Sequence, residues 1–366
     1  MARVFLLAPL LVSILAIGGA RAEITIAMVG PLTGSSSAIG EQMQKGAEMA
    51  VRHINASGGV LGQPLVLEVG DDTCDPDDAV AVAEQLRDSR AVFVAGHFCS
   101  GASIPASQVY AEAGILQISP GSTNPTLTDQ GLDNVFRVCG RDDLQGPTAA
   151  NYVLDNQLAS RIAVVHDKSA YGKGLADEFR RQLVARGTEE ILYAGIDAGV
   201  QDFSGLIDEM KAADVELIYF GGYHLEAGLI VRQARDLGLD ATLMSGDTLL
   251  TREFWDITAE AGEGTLFTFE ADPRTFEFAK ETVLQFRESG YEPEGYTLFT
   301  YATIEVFAQA AEIAGTTELK AVVEALKNNQ FDTKLGQVAF DAKGDVIGTG
   351  YHVYLFSDGR YEMISG

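Results

Sequence analysis

Basic residues are scarce in this chain: 26 Lys and Arg stand against 52 Asp and Glu among 366 residues. A surface with that imbalance repels nucleic acid and anionic lipid, so neither is expected as a partner. Enzyme signatures are also missing. There is no H-E-x-x-H, no G-x-S-x-G and no G-x-x-x-x-G-K-[ST], and the nearest approach to the last, GPLTGSSSAIGEQ, lacks the lysine that phosphate binding requires. The segment YGKGLAD has two glycines of a dinucleotide loop, but Asp177 occupies the third position. No D-x-D-x-D-G loop or histidine cluster is present, so neither a metal nor any other cofactor is expected. Cysteine is rare too, with three in the chain.

The first residues read as an export signal. Met1 and Arg3 precede the apolar run FLLAPLLVSILAIGG, and Ala20-Arg21-Ala22 forms an A-x-A cleavage site. The run is shorter than a membrane span of roughly 20 residues, and no cysteine follows it to carry a lipid. Cleavage after Ala22 leaves 24 basic against 52 acidic residues, a net charge of −28. In an exported chain three cysteines suggest one disulfide and one spare thiol. Cys74 and Cys99 each follow a strand-like run, VLEVGDDT and AVFVAGHF. Neighbouring parallel strands bring such loops together, which selects that pair and leaves Cys139 free.

From Glu23 onward short apolar runs alternate with helix-like segments: EITIAMVG, LVLEVGDD, AVFVAGH, ILQIS and VFRVCG, then RIAVVHD, ILYAGI, ELIYFGGY, TLMSGD and GTLFTFE. This spacing implies βαβ units in two successive arrays, hence an α/β fold of two Rossmann-like lobes with parallel sheets. The length remaining after cleavage also exceeds one ordinary core. The tail departs from the rhythm with three helix-like segments and the short strands GQVAFD, GYHVYLF and RYEMI. It is too small for a third domain and is expected to complete both lobes, with connections near Gly140, Ala271 and Gly344 to Gly350. The expected division is a leader at 1–22, one lobe from 23–141 plus 271–350, and a second from 142–270 plus 351–366.

The stretch from Ala91 to Pro125 organises the rest. Two buried-type strands each end in a hydroxyl-bearing loop, with Ser100 and Ser103 after the first and Ser119, Ser122 and Thr123 after the second. In open α/β sheets ligands collect at the carboxyl ends of strands, where helix N-termini favour an anion. Gly121 lies in the same loops. Tyr171, Tyr223 and Asp247 hold equivalent positions in the second array, and Asp142 stands at the crossing. Facing strand ends make a cleft suited to a small ligand. Cys99 with His97 and His166 could be imagined as a thiol and its base; a disulfide with histidines capping strand ends is the better reading. Capping and solvation account for Asp71 and Asp72, just before Asp75-Pro76.

GPLTG, QKGAEMAVRHINASGGVLGQPL, DDTCDPDDAVAVAEQL, GHFCSGASIPAS, QGPTAA, VVHDKSAYGKGLA and YFGGYHLEAGLIVRQARDLG resemble the periplasmic leucine/isoleucine/valine-binding proteins of ABC import systems. The resemblance spans essentially the whole mature chain. It implies two lobes joined by three crossovers, a disulfide in the first lobe that falls on Cys74 and Cys99, and an amino acid in the cleft. Ser100, Thr123 and the backbone of Gly121, with Ser122 beside them, would hold the ligand carboxylate. Asp142 and Asp247 would lie near its ammonium, Tyr171 and Tyr223 would close from the second lobe, and Ile39 and Tyr296 would line the side-chain pocket. The family often has an aromatic where Ile39 stands, Ala at Gly121 and Glu at Asp247, while Cys139 has no counterpart.

The implied function is a periplasmic, monomeric solute-binding protein. It would deliver a branched-chain or other aliphatic L-amino acid to permease subunits driven by ATPases. The same fold could instead bind an amide or a short-chain or aromatic carboxylate, or serve as a sensory module. With no catalytic motif, an enzyme is the weakest reading.

Overall fold

The computed structural model describes residues 22–365, so the expected leader lies, apart from Ala22, outside the described residues. The first array forms β1 (Ile24–Gly30), α1 (Ser37–Ala56), β2 (Leu65–Asp71), α2 (Pro76–Asp88), β3 (Phe93–Gly96), α3 (Ser100–Ala113), β4 (Leu116–Ser119), α4 (Thr126–Asp129) and β5 (Val135–Arg137). Its five strands are all parallel, in the order β2-β1-β3-β4-β5. The central β3 and β4 are buried at every residue, whereas the edge strand β2 is buried only at Leu65. Covering helices on both faces turn the inner strands into unbroken apolar runs.

The second array follows as α5 (Asp142–Asp155), β6 (Ile162–His166), α6 (Ala170–Ala185), β7 (Leu192–Gly195), α7 (Ser204–Ala212), β8 (Leu217–Gly221), α8 (His224–Asp236), β9 (Thr242–Ser245), α9 (Arg252–Thr258) and β10 (Leu266–Phe269). Then come α10 (Lys280–Glu288), α11 (Thr297–Ala314), α12 (Leu319–Asn328), the hairpin β11 (Phe331–Thr333) and β12 (Gly336–Val338), and finally β13 (His352–Ser357) and β14 (Arg360–Ser365). The second sheet runs β14-β13-β10-β9-β8-β6-β7. The last two strands of the chain, β13 and β14, join antiparallel to their neighbours at one side of this otherwise parallel sheet, so the tail completes it as expected. The hairpin-like return β13–β14 needs no crossover helix, which is why it can extend an edge at the end of the chain.

The tail divides between the sheets. Helix α11 packs along α1 and over β3 and β4. The approach to α1 is close at Gly46, where any Cβ would collide with the Thr297 carbonyl. The backbone at Gly344 and Asp345 docks on the outer edge of β5, with the Arg137 amide donating to Gly344 O at 3.0 Å. Gly344 has φ +99°, and a side chain there would strike the Val135 carbonyl.

Three strands of backbone therefore pass between the sheets, and they touch one another. The Gly140 amide donates to Glu270 Oε1 at 2.7 Å, the Tyr354 hydroxyl donates to Glu270 O at 2.9 Å, and a Cβ on Gly140 would sit 2.7 Å from the Tyr351 ring. Beside them is a cavity of about 210 Å³ lined by Val138, Glu270, Phe276, Phe299, Val346 and His352, among others. Burial pushes the Glu270 carboxyl up to about 8.

Candidate functional site

Both sheets present the carboxyl ends of their strands to the space between them. Cys74 and Cys99 form a disulfide with Cα atoms 5.4 Å apart, and Cys139 is a buried free thiol whose pKa burial raises well above the usual range. The pair fixes the loop after β3 against the loop after β2. Asp75 caps α2, accepting from the amides of Asp77 and Asp78 at 2.8 and 3.2 Å. Asp72, however, is fully buried rather than solvated, and this corrects its reading from sequence. It meets His97 Nδ1 at 2.6 Å and accepts from the Cys74 amide at 2.9 Å, while His97 Nε2 meets the Tyr110 hydroxyl at 2.9 Å. This buried chain holds the backbone just ahead of Ser100.

On the first lobe, Ser100 opens α3 and its hydroxyl accepts from the Asn124 amide at 3.2 Å. The Gly121 and Ser122 amides both donate to Ser119 Oγ, at 3.2 and 2.9 Å. The Ser122 hydroxyl is occupied inside the loop, donating to Phe98 O at 2.8 Å and lying 2.6 Å from Ser103 Oγ. Thr123 differs: its Oγ1 is buried and has no partner. The whole loop is gripped from below by Arg137, whose guanidinium donates to the carbonyls of Ser122 and Asn124 at 2.8 and 2.9 Å. That guanidinium is fully buried and pairs with Asp345 at 2.6 Å.

On the second lobe, Asp142 starts α5 directly beside Thr123, its amide donating to Thr123 O at 2.9 Å. It is completely buried, and neither carboxylate oxygen is hydrogen-bonded in good geometry, although the Thr123 hydroxyl lies near enough to lower its pKa. Burial, and after it the neighbouring Asp247 charge, push its pKa well above the ordinary carboxylate range. Asp247 is buried as well, but it accepts from the Tyr171 hydroxyl at 2.8 Å, from Gln145 Nε2 at 2.9 Å and from the Tyr296 hydroxyl. Burial raises its pKa against the pull of those three donors.

Aromatic rings complete the wall. Tyr171 and Tyr223 lie 5.3 Å apart by ring centroid, Phe98 lies 6.2 Å from Tyr223, and Phe98 meets Tyr296 edge-on at 4.8 Å. A Cβ on Gly121 would touch Phe98 at 2.7 Å and Tyr296 at 2.9 Å, so glycine there admits both rings. Ile39 is buried on α1, along the helix that Tyr296 introduces. Ser100, Gly121, Thr123, Asp142, Tyr171, Tyr223, Asp247 and Tyr296 thus share one neighbourhood, while the side chain of Ser122 is committed to its own loop. Phe98, Gln145 and Asn124 were missed from sequence. Asn124 Nδ2 donates across the cleft to Ala170 O at 2.7 Å. GHFC and QGPTAA did flag two of these positions as motifs without assigning them a role.

Among the described residues no group of His, Cys, Asp and Glu could hold a metal ion, and no helix is long and apolar enough to cross a membrane. The sequence pattern of the periplasmic binding protein family matches residues 23–360. A Leu/Ile/Val-binding protein homolog from Brucella melitensis is 47% identical over 359 residues, 97% of each chain. An amino acid binding protein from Pseudomonas aeruginosa is 45% identical, covering 94% of this chain and 93% of its own. Among solved structures, a leucine binding protein from Thermotoga maritima superposes with a TM-score of 0.87 at 29% identity, covering 93% of this chain and 98% of its own. A branched-chain amino acid transporter substrate binding protein from Streptococcus pneumoniae, in complex with isoleucine, gives 0.86 at 28% identity, covering 94% of this chain and all of its own. By its fold, its interlobe cleft and these likenesses, the chain belongs to the periplasmic binding protein family.

Proposed function

We propose that this protein binds an aliphatic L-amino acid such as leucine, isoleucine or valine between its lobes and delivers it to an ABC permease. One observation carries the reading: the Thr123 hydroxyl and the Asp142 carboxylate, joined through a backbone hydrogen bond, are buried together, and neither makes a hydrogen bond of good geometry to any other side chain. A zwitterion offers a carboxylate for hydroxyl and amide donors and an ammonium for a carboxylate, on one carbon atom. A ligand bearing only a carboxylate would leave Asp142 and Asp247 facing each other without a cation. Ser100, Thr123 and the Gly121 backbone serve the carboxylate in this reading. Tyr171 and Tyr223 close over it from the second lobe, and Ile39, Phe98 and Tyr296 meet the apolar side chain.

The remaining parts of the proposal follow from this role. The chain is exported and cleaved after Ala22, acts as a monomer in the periplasm, and divides into lobes at 23–141 plus 271–350 and 142–270 plus 351–366. Delivery requires permease subunits with their ATPases, and the binding step itself involves no catalysis or cofactor. N-terminal sequencing of the mature protein tests the cleavage. Calorimetry against leucine, valine, alanine, glutamate, acetamide and benzoate tests the ligand. Saturable binding of leucine or valine with no heat from glutamate is the expected result. Binding of benzoate or acetamide without any amino acid would overturn the assignment.

A further inference from the structure

The three connections between the sheets share one cavity. Val138 lies on the first connection, Glu270 on the second and Val346 on the third, and all three line it, with Phe276 and Phe299 in the same wall. Its volume is about 210 Å³. A single water needs roughly 10–15 Å³ of such space, and a cavity of about 150 Å³ holds benzene, so there is room here for about eight heavy atoms. The lining reaches solvent at Ile347, which is 57% exposed, and at the exposed Gly348 and Gly350, so a small molecule can enter. One carboxyl group supplies the charge. Glu270 Oε1 accepts from the Gly140 amide at 2.7 Å, while Oε2 has no hydrogen-bond partner among the described residues. Among those residues no Lys or Arg lines the cavity.

We propose that this hinge cavity is a second binding site, which takes a small apolar amine and couples its occupancy to the angle between the lobes. The ammonium meets Glu270 Oε2 in a charge-assisted hydrogen bond, and the apolar body lies against Val138, Val346 and the two phenylalanines. A ligand carboxylate would face a carboxyl group with no cation beside it. The cavity shares no lining residue with the cleft described above. Closure turns the lobes about the same three connections that line the cavity, so its shape changes with the lobe angle. A molecule that fits one arrangement better shifts the balance toward it. The charges balance through one proton: empty, Glu270 keeps its proton up to about 8, so an ammonium entering at pH 7 displaces that proton to the buffer. The titratable groups around Glu270 are Asp247, Cys139, Tyr351 and Tyr354, with His352 in the cavity wall.

The test titrates benzylamine, and benzyl alcohol as its uncharged counterpart, into the full mature protein by calorimetry with no amino acid present. Benzylamine should bind with a Kd on the order of 1 mM, the range open to a molecule of this size, and at pH 8 at least about tenfold more tightly than the alcohol. Its affinity should rise about tenfold from pH 6 to pH 7 and level off above about 8, with close to one proton released per amine at pH 7. That proton count should survive His352→Asn; a count lost there would assign the proton to His352 and overturn the role of Glu270. Glu270→Gln should lower the affinity at pH 8 at least about tenfold, and Val346→Phe, which fills the cavity, should abolish binding even if the first variant does not fold. Binding that persists in both variants places the amine elsewhere and overturns the proposal, as does a wild type that binds no benzylamine. Resting on the ligand reading above, saturating benzylamine should change the leucine Kd by at least about threefold, and leucine should change the benzylamine Kd by the same factor. Unchanged affinities would overturn the coupling. If leucine itself does not bind, the ligand reading fails while the amine site stands, and the coupling is then read from the radius of gyration, which must differ with and without benzylamine.

Discussion

Arg137 offers the sharpest quantitative prediction, because its guanidinium connects the hinge to the ligand loop. It is fully buried and donates to Asp345 at 2.6 Å, to the carbonyls of Ser122 and Asn124, and to Thr128 Oγ1 at 2.6 Å. Replacing it with Met keeps much of the volume and removes every donor. Asp345 would keep Arg141 Nη1 and the Thr128 hydroxyl, each at 2.8 Å, so the anion is not stranded. The two carbonyls lose this buried donor. Breaking a buried pair costs about 3–5 kcal/mol, and the surviving Arg141 contact keeps the total inside that range rather than above it.

The corresponding loss of melting temperature follows from chain length. About 2.1 cal/mol/K of unfolding entropy per residue, over the 344 residues that follow Ala22, gives ~0.7 kcal/mol/K and a drop of about 4–7 °C. If the first lobe melts separately, the same energy appears as a larger shift on its own transition. Differential scanning calorimetry on Arg137→Met measures it. The exposed pair of Lys168 with Asp197 is the control, since Lys168→Met should cost less than about 1 kcal/mol. Ligand affinity should fall as well, because the Ser122 and Asn124 carbonyls flank Thr123. A melting temperature unchanged within about 1 °C would refute the energetic argument. A full thermal loss with unaltered affinity would refute the claim that Arg137 positions the loop.

Three further predictions concern the disulfide, the hinge and the motion. Thiol titration of the unfolded, unreduced protein should find one thiol, Cys139, and reduction should cost roughly 3 kcal/mol for a bridge spanning 25 residues; three thiols would exclude the pairing. Because Glu270 holds its proton in the folded protein up to about 8, against an ordinary 4.5, folding favours its protonated form, and stability is lost as pH rises between those values. The melting temperature of Glu270→Gln minus that of wild type should therefore grow from pH 4.5 to 8. A flat difference would show that Glu270 ionises freely, while Asp167 and Glu305, raised to about 6 and 7, cancel in the subtraction. Leucine at saturation should lower the radius of gyration, and an unchanged value would argue for a rigid pocket.

How much was legible in the sequence depended on whether a feature is local. FVAG and IAVVH are buried at every position, so their unbroken apolar character announces central parallel strands. Loop chemistry at strand ends was equally visible, because Ser100 and Asp142 open helices and Thr123 lies in the loop that follows β4. What stayed hidden was pairing across distance. Asp72 looked like one more loop acid in an acidic chain, and only the fold brings His97 and Tyr110 to it. Phe98 reads as the end of an apolar run, yet it faces Tyr296, nearly two hundred residues further on. The antiparallel return of β13 and β14 carries the same alternation as any edge strand, and periodicity does not state which neighbour it joins.

The energetics of closure tie these observations together. The Asn124 side chain donates to Ala170 O, Tyr296 donates to Asp247 and the Arg252 amide donates to Glu294 Oε1, so hydrogen bonds join the lobes without any ligand. Each contributes about 0.5–1.5 kcal/mol net, somewhat more where a carboxylate accepts. Against them stands the burial of Asp142, whose pKa rises well above the ordinary carboxylate range, so closing over it requires either proton uptake or the desolvation of its charge. That cost opposes these bonds, and it is absent when the lobes part and Asp142 meets water. On the ligand reading proposed above, an ammonium would remove that cost while leaving these hydrogen bonds intact. Ligands that lack an ammonium can occupy the donor loop of the first lobe, but they cannot relieve Asp142. On that reading selectivity and motion share one origin, since the group proposed to meet the cation is also the group whose burial opposes closure.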